Sequence, residues 1–231
     1  MPQGVAISFE GISNAGKTTA VQHLVTLLNE KTNRKVVIKE DLLAYQGDSI
    51  GAMIKRILDR GAPTFRLGYP FTETLLIAAK RAFESQTRLE PALNAGAIII
   101  CDRDVDTVTA YQLPVLKDAR PLVEDDILID WIRQTNALAS IEPQLTIYLN
   151  VSVETSLARE EAKGTPLSLE NATQWREHHK PLPSLYEKVL ARPIDGRRVI
   201  RIDTEHLTIE AVLSQIEELV LQWLRDRAIH I

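Results

Sequence analysis

The chain has 231 residues, of which 45% are hydrophobic and 25% charged, as is typical of a globular protein with a substantial core. Its 27 lysines and arginines are outnumbered by 31 aspartates and glutamates, which gives a formal net charge of −4. A mildly acidic chain is a poor candidate for binding duplex nucleic acid or an anionic membrane surface. The single cysteine, Cys101, excludes an internal disulfide and a cysteine-rich zinc site.

The N-terminal residues show neither the basic region nor the long apolar stretch of a signal peptide. The longest continuous apolar run, residues 97–101, is far shorter than the ~20 residues that a membrane-spanning helix needs. We therefore expect a cytoplasmic protein without a membrane partner.

Short runs rich in β-branched residues alternate with longer amphipathic segments. The runs, which predict strands, cover residues 5–9, 35–39, 97–101, 145–150 and 198–203. Apolar residues recur at helical spacing within 21–28, 75–83 and 213–224, which predicts helices there. This alternation predicts an α/β fold with a five-stranded parallel sheet and helices on both faces. No linker interrupts it, so residues 1–231 are interpreted as a single domain, and the small, polar residues 162–172 as a mobile loop between two helices.

Residues 11–18, GISNAGKT, match the phosphate-binding P-loop pattern G-x-x-x-x-G-K-[ST] between a predicted strand and a predicted helix. Glycines let the backbone N–H groups turn towards phosphate oxygens, Lys17 reaches the β- and γ-phosphates, and the Thr18 hydroxyl can bind Mg²⁺. The loop therefore predicts ATP as a substrate and Mg²⁺ as its cofactor. The predicted phosphate-binding residues are Gly11, Asn14, Ala15, Gly16, Lys17, Thr18 and Thr19.

A carboxylate on a neighbouring strand is the usual companion of a P-loop, and Asp102 follows the buried run 97–101. Ligands of parallel sheets bind at the carboxyl ends of the strands, so we expect Thr18 and Asp102 to share the metal. The adjacent Arg103 would then face a phosphate. The alternative is an Asp–Arg pair that only caps the next helix.

The chain resembles the thymidylate kinase family through several segments, which appear in the same order as in the family and span most of the chain. They are FEGISNAGKTT (9–19), ETLLIAAKR (73–81), PALNAG (91–96), CDR (101–103), AYQ (110–112), PQLTIYL (143–149), SLAR (156–159) and VIRID (199–203). The resemblance implies a P-loop kinase fold with a mobile lid at about 159–172, and a homodimer.

The resemblance also implies transfer of the ATP γ-phosphate to a (deoxy)nucleoside monophosphate, most simply dTMP, giving dTDP. Lys17, Arg103 and Arg159 would be the catalytic residues: Lys17 holds the donor phosphates, Arg103 holds the acceptor phosphate, and Arg159 closes over the transferred group from the lid. Arg81 would reach the acceptor base. The acceptor-binding residues that it implies are Lys39, Glu40, Arg81, Arg103, Asp106, Tyr111 and Gln112.

The chain departs from the family mainly on the acceptor side. Ser13 stands where the family usually carries an acid, Ile77 where an aromatic residue stacks on the base, and Asp104 where an aromatic residue or histidine follows Asp-Arg. These departures leave open a kinase of the same fold that phosphorylates a nucleoside or an unusual nucleotide, with Glu40 or Asp41 as its general base. They also leave open a nucleotide-binding regulator without catalysis.

Other polar residues have simpler interpretations. We expect Asp104 and Asp106 to be acids that favour the N-terminal end of a helix, although one of them could instead bind acceptor hydroxyls or replace the missing acid. No third ligand accompanies His178 and His179, so we expect both histidines on the surface. Cys101 is expected to be a small core residue.

Overall fold

The computed structural model describes residues 4–40, 50–58, 68–164 and 168–229. Five strands form one parallel sheet in the order β2-β3-β1-β4-β5, so the predicted five-stranded parallel sheet is confirmed. The strands are Val5–Glu10 (β1), Val36–Lys39 (β2), Ile98–Asp102 (β3), Leu145–Asn150 (β4) and Arg198–Asp203 (β5).

Helices connect the strands and pack on both faces of the sheet, as predicted. They are Lys17–Lys31 (α1), Ile50–Leu58 (α2), Pro70–Glu84 (α3), Glu90–Asn94 (α4), Val105–Ala119 (α5), Asp125–Ala137 (α6), Val153–Glu161 (α7), Leu169–His179 (α8), Leu182–Leu190 (α9) and Ile209–Asp226 (α10). A π-helical turn, Ser85–Leu89, joins α3 to α4. None of the helices in the described ranges is long and apolar enough to cross a bilayer.

The central strands show why the sheet is covered on both sides. Successive side chains of a strand point to opposite faces, and every residue of β1 and β3 is buried. Ile98 and Ile100 join the cluster that contains α1 and α10, whereas Ile99 and Cys101 pack on the other face beside the π-helical turn. Cys101 is therefore the core residue that its position predicts.

The register of the strands brings the site residues together. Phe9 of β1 pairs with Asp102 of β3, so the two strands end side by side at the carboxyl edge of the sheet. The P-loop leaves β1 at this edge, and α5 starts just after β3. The sequence segments that carry the P-loop and the Asp-Arg pair, 92 positions apart at Gly11 and Arg103, thus meet at one edge of the sheet.

The loop predicted at 162–172 is shorter than expected. Helix α8 begins at Leu169, and the Ser168 hydroxyl caps it by accepting a hydrogen bond from the Asn171 N–H at 3.2 Å. Residues 165–167 of the predicted lid lie outside the described residues, as do 41–49 and 59–67. The missed helix start is a Ser cap followed by a polar sequence, which has no apolar stripe to indicate a helix.

Candidate active site

The P-loop needs glycine at its two ends for different reasons. Gly11 has φ +141°, and a Cβ there would lie 2.4 Å from the Leu149 carbonyl oxygen, so β4 leaves no room for a side chain. Gly16 has φ +100° and immediately precedes α1. Because Gly16 adopts a left-handed conformation, the loop turns directly into the first helical residue, Lys17. The N-terminal end of α1, which carries partial positive charge, therefore lies at the carboxyl edge of the sheet.

Lys17 lies inside the curl of the loop. Its side chain is almost fully buried, and Nζ donates a 2.7 Å hydrogen bond to the Ile12 carbonyl oxygen. The following Thr18 and Thr19 are exposed on the first turn of α1. The ammonium group is thus held over the loop backbone, next to the exposed hydroxyl-bearing residues Thr18 and Thr19.

Thr18 and Asp102 are brought together as the sequence predicts. Thr18 Oγ1 donates a hydrogen bond of 2.7 Å to Asp102 Oδ2. Both atoms are hard oxygen ligands, which suit Mg²⁺. The described residues contain no cluster of three or more acidic, histidine or cysteine side chains that could hold a metal by itself. A magnesium ion that takes one or two protein oxygens and completes its shell with phosphates and water fits this pair.

Arg103 is held against the P-loop by an unusual backbone. Its φ of +71° lies in the left-handed region, which is costly for a residue with a long side chain and is most often found at functional sites. Its N–H donates to the Phe9 carbonyl oxygen at 3.1 Å, and Nη1 donates to the Gly11 carbonyl oxygen at 3.0 Å. The guanidinium also lies 5.7 Å from the centre of the Tyr111 ring.

Glu10 is a site residue that the sequence reasoning missed. It is fully buried at the end of β1; Oε1 accepts from the Asp104 N–H at 2.8 Å and Oε2 from the Thr107 N–H at 3.1 Å. It therefore anchors the first turn of α5, which carries Arg103 at its entrance. Burial, together with the nearby charges of Asp106 and Asp104, raises the pKa of Glu10 to about 8. The sequence feature that could have indicated this role is an acidic residue at the end of a buried strand.

Asp104 binds two residues that the family resemblance assigns to the acceptor. Its carboxylate accepts from the Val105 N–H at 2.7 Å and forms ion pairs with Arg81 Nη2 at 2.8 Å and Lys39 Nζ at 3.1 Å. Burial alone would raise the pKa of Asp104, but the charges of Arg81 and Lys39 lower it well below its ordinary value. Asp104 is therefore a helix cap, and its ion pairs hold Arg81 and Lys39 at the start of α5.

Asp106, predicted to bind the acceptor, lies in a second buried ion cluster. Its side chain is 1% exposed and contacts Arg133 Nη2 at 3.2 Å and Arg197 Nη1 at 2.6 Å. Because almost no surface of this carboxylate is left for a ligand, the placement argues against an acceptor-binding role. The cluster instead joins α5 to α6 and to the turn before β5.

The remaining residues predicted to bind the acceptor have varied surroundings. Tyr111 Oη is buried and has no hydrogen-bond partner among the described residues. Gln112 Oε1 accepts from the Thr74 hydroxyl at 3.0 Å, and Glu40 is exposed just after β2. Ile77, at the position of the missing aromatic residue, packs on Ile54 of α2 in the core. Asp41 lies outside the described residues.

Helix α7 brings Arg159 to the P-loop. Arg159 Nη1 donates to the Asn14 carbonyl oxygen at 3.2 Å, and Nη2 donates to the Thr204 carbonyl oxygen at 2.8 Å. Lys163 Nζ donates to Asn14 Oδ1, and the Ser156 hydroxyl donates to the Ser13 carbonyl oxygen at 2.7 Å. The predicted lid arginine thus lies beside the P-loop, where it is expected to neutralise the charge of the bound nucleotide's phosphates.

The expectation that both histidines lie on the surface is wrong for His179. This side chain is 5% exposed, and its Nε2 lies 3.3 Å from the Ser13 hydroxyl in the P-loop. Helix α8 is polar overall, so its sequence gives no apolar pattern that would indicate burial of its last residue.

Comparison with known proteins decides the family. The family model of thymidylate kinases matches residues 9–216, which is most of the chain. The chain belongs to the thymidylate kinase family. The resemblance carried by the P-loop and the Asp-Arg pair is therefore confirmed.

Relatives within the thymidylate kinase family match nearly end to end. The chain is 31% identical to the thymidylate kinase of Caulobacter vibrioides, over 96% of this chain and 98% of the relative. It is 32% identical to that of Symbiobacterium thermophilum, over 96% and 95%. The crystal structure of thymidylate kinase from Ehrlichia chaffeensis has a TM-score of 0.64 and 19% identity, covering 95% of this chain and 99% of that chain. The structural match supports the α/β fold.

Proposed function

We propose that the protein transfers the γ-phosphate of ATP to dTMP and releases ADP and dTDP. Membership of the thymidylate kinase family, over residues 9–216, is the observation that carries this proposal. The geometry supports it, since Lys17, Arg103 and the Thr18–Asp102 pair converge on one edge of the sheet.

Phosphoryl transfer depends mainly on positioning the two substrates and neutralising phosphate charge. The P-loop backbone and Lys17 bind the donor phosphates, and Thr18 and Asp102 are the residues that would hold Mg²⁺. When bound, Mg²⁺ supplies positive charge at the donor phosphates. No catalytic arginine lies inside the loop, where Asn14 stands instead. Arg159, which donates to the Asn14 carbonyl oxygen, supplies a cation from the opposite side.

The acceptor phosphate is placed by Arg103. Its guanidinium lies between the Gly11 carbonyl oxygen and the Tyr111 ring, so an anion bound there lies next to the P-loop. Tyr111 Oη, which has no hydrogen-bond partner in the described part of the chain, can donate or accept a hydrogen bond to the rest of the nucleotide. Lys39 and Arg81 contribute positive charge behind Arg103 while remaining paired with Asp104.

The proposal is tested with the purified protein, ATP, Mg²⁺ and a panel of nucleoside monophosphates and nucleosides, by measuring ADP release. Turnover with dTMP and little turnover with thymidine is the expected result. Preferential phosphorylation of a nucleoside would instead favour an acceptor without a phosphate, and Glu40→Gln would then test the general base. ATP binding without transfer to any member of the panel would indicate a regulator and contradict the proposal.

We also infer that the chain forms a homodimer, as the family resemblance implies. Ile50, Met53 and Ile57 lie exposed at helical spacing along α2, and Leu75 is exposed on the adjacent α3. A group of exposed apolar side chains is typical of an interface. Light scattering of the purified protein should give about twice the 25.9 kDa chain mass, and Met53→Glu should shift it towards the monomer.

A further inference from the structure

Helix α9 brings a buried tyrosine to the start of the P-loop. Tyr186 is fully buried, and its ring stacks on Tyr148 of β4 with centroids 5.3 Å apart and planes 26° apart. Its Oη donates a hydrogen bond of 3.0 Å to the Gly11 carbonyl oxygen, 175 positions away in the sequence. Burial raises the pKa of Tyr186 well above its ordinary value, so the hydroxyl keeps the proton that it donates. The stacked ring therefore holds a hydrogen-bond donor at the first carbonyl group of the loop.

The same carbonyl oxygen is also bound by Arg103. Arg103 Nη1 donates to it at 3.0 Å and lies 3.5 Å from Tyr186 Oη. A backbone carbonyl oxygen has two lone pairs, and these two donors use both. Tyr186 therefore contacts the guanidinium as well as the carbonyl oxygen that holds it, and its position determines where Arg103 can bind the loop.

The Tyr186 hydroxyl is itself held by the first turn of α5. Thr107 Oγ1 lies 2.7 Å from Tyr186 Oη, and it also contacts the carboxyl group of the buried Glu10. Arg103 precedes this turn and has a left-handed backbone, with φ +71°. Its side chain is consequently held at both ends, by the backbone at the start of α5 and by Gly11 and Tyr186 at the guanidinium.

We propose that Tyr186 is a positioning residue that orients the Arg103 guanidinium for the phosphate group of the acceptor nucleotide. This inference rests on the proposed function, in which Arg103 binds that phosphate. A guanidinium is a planar fork, so its affinity for a phosphate depends on its orientation as well as its charge. Tyr186 acts through the Gly11 carbonyl oxygen and Arg103, and it needs no contact with the nucleotide.

Four single substitutions and one double substitution separate positioning from a general effect on the fold. Tyr186→Phe removes the hydroxyl and keeps the stacked ring. Tyr148→Phe is the matched control, because it removes the neighbouring hydroxyl, which donates to Asn150 Oδ1 at 3.3 Å. Arg103→Ala, alone and combined with Tyr186→Phe, removes the group through which Tyr186 acts. Thr107→Val removes the hydroxyl that supports Tyr186.

Titration calorimetry with dTMP measures the dissociation constant for each variant, and steady-state kinetics gives the KM for ATP. We expect Tyr186→Phe to weaken dTMP binding about five- to tenfold, as the loss of one orienting hydrogen bond would. Tyr148→Phe should stay within about twofold of wild type, and the KM for ATP should stay within about twofold in both. Thr107→Val should weaken dTMP binding about threefold, and Thr107→Ser, which restores the hydroxyl, should bind dTMP as the wild type does.

The double variant decides whether Tyr186 acts through Arg103. In the Arg103→Ala background, Tyr186→Phe should change dTMP binding by less than about twofold, because the guanidinium that it orients is gone. Additive effects, equal losses for ATP and dTMP, or unchanged dTMP binding in Tyr186→Phe would overturn the inference, while wild-type turnover of dTMP leaves the proposed function standing.

Thermal unfolding and circular dichroism establish which variants fold. If Tyr186→Phe does not fold, Thr107→Val and Thr107→Ser, each with and without Arg103→Ala, provide the same comparison. Failure of the wild type to bind and phosphorylate dTMP would overturn both the inference and the proposed function.

Discussion

Thr18 Oγ1 donates a 2.7 Å hydrogen bond to Asp102 Oδ2, which joins the first turn of α1 to the end of β3. The bond places two oxygen ligands together at the point where the donor phosphates are expected. The hydroxyl and the carboxylate can each be replaced with little change of side-chain shape, so their separate contributions to activity can be measured.

Replacing Asp102 with Asn should lower kcat/KM about 10²- to 10³-fold, because the charge that holds Mg²⁺ at the phosphates is lost. The Mg²⁺ concentration that gives half-maximal rate should rise. Thr18→Ser, which keeps the hydroxyl, should retain most of the activity, whereas Thr18→Val should not. A Mg²⁺ dependence for Asp102→Asn that matches the wild type would contradict the assignment.

Lys17→Met should reduce kcat by at least about 10³-fold, because the P-loop lysine is the main cation that the chain offers to the donor phosphates. Methionine keeps most of the length of the buried side chain, so the fold should remain, although the hydrogen bond to the Ile12 carbonyl oxygen is lost. Phosphate transfer and thermal unfolding are measured together. Retained transfer in a folded variant would show that Lys17 does not act on the donor.

Local patterns predicted the parts of the molecule that depend on neighbouring residues. The strands at 145–150 and 198–203 were predicted at their observed bounds, and the P-loop follows from one short motif. Glu10 was missed because its partner Thr107 is 97 positions away, and His179 because Ser13 is 166 positions away. Such contacts depend on how the strands are ordered in the sheet, and periodicity carries no information about them.

Burial also could not be predicted for charged residues. From its place in the sequence, Asp106 is expected to be an acid at the N-terminal end of a helix. Its side chain is nevertheless 1% exposed, and Arg197 and Arg133 neutralise its charge. Similarly, Arg81 and Lys39 stand at positions that the family resemblance assigns to acceptor binding. Asp104, which replaces the family's usual aromatic residue or histidine, forms ion pairs with both. One change of residue type thus alters the partners of two others, and only the three-dimensional arrangement reveals it.

Asp104→Asn should destabilise the fold by about 3–5 kcal/mol, because it leaves Lys39 and Arg81 buried without their shared counter-charge. Asparagine is as good a helix cap as aspartate, so the change isolates the charge from the cap. Urea unfolding at pH 7 measures the free energy of unfolding. Asp118→Asn, an exposed substitution on the same helix, is the control and should change it by less than about 0.5 kcal/mol. Equal stability of the two variants would contradict the role of this cluster.

Glu10→Gln should remove a pH dependence of stability that the wild type shows above neutral pH. Burial raises the pKa of Glu10 from 4.5 to about 8, so between these values the folded chain retains a proton that the unfolded chain has released. The free energy of unfolding therefore falls as the pH rises towards 8, by at most about 1.4 kcal/mol per pH unit from this group, and levels off above 8. Urea unfolding of both proteins from pH 7 to 9 should show this decline in the wild type alone. Parallel curves would mean that Glu10 is already ionised at pH 7, with the N–H groups of Asp104 and Thr107 outweighing its burial.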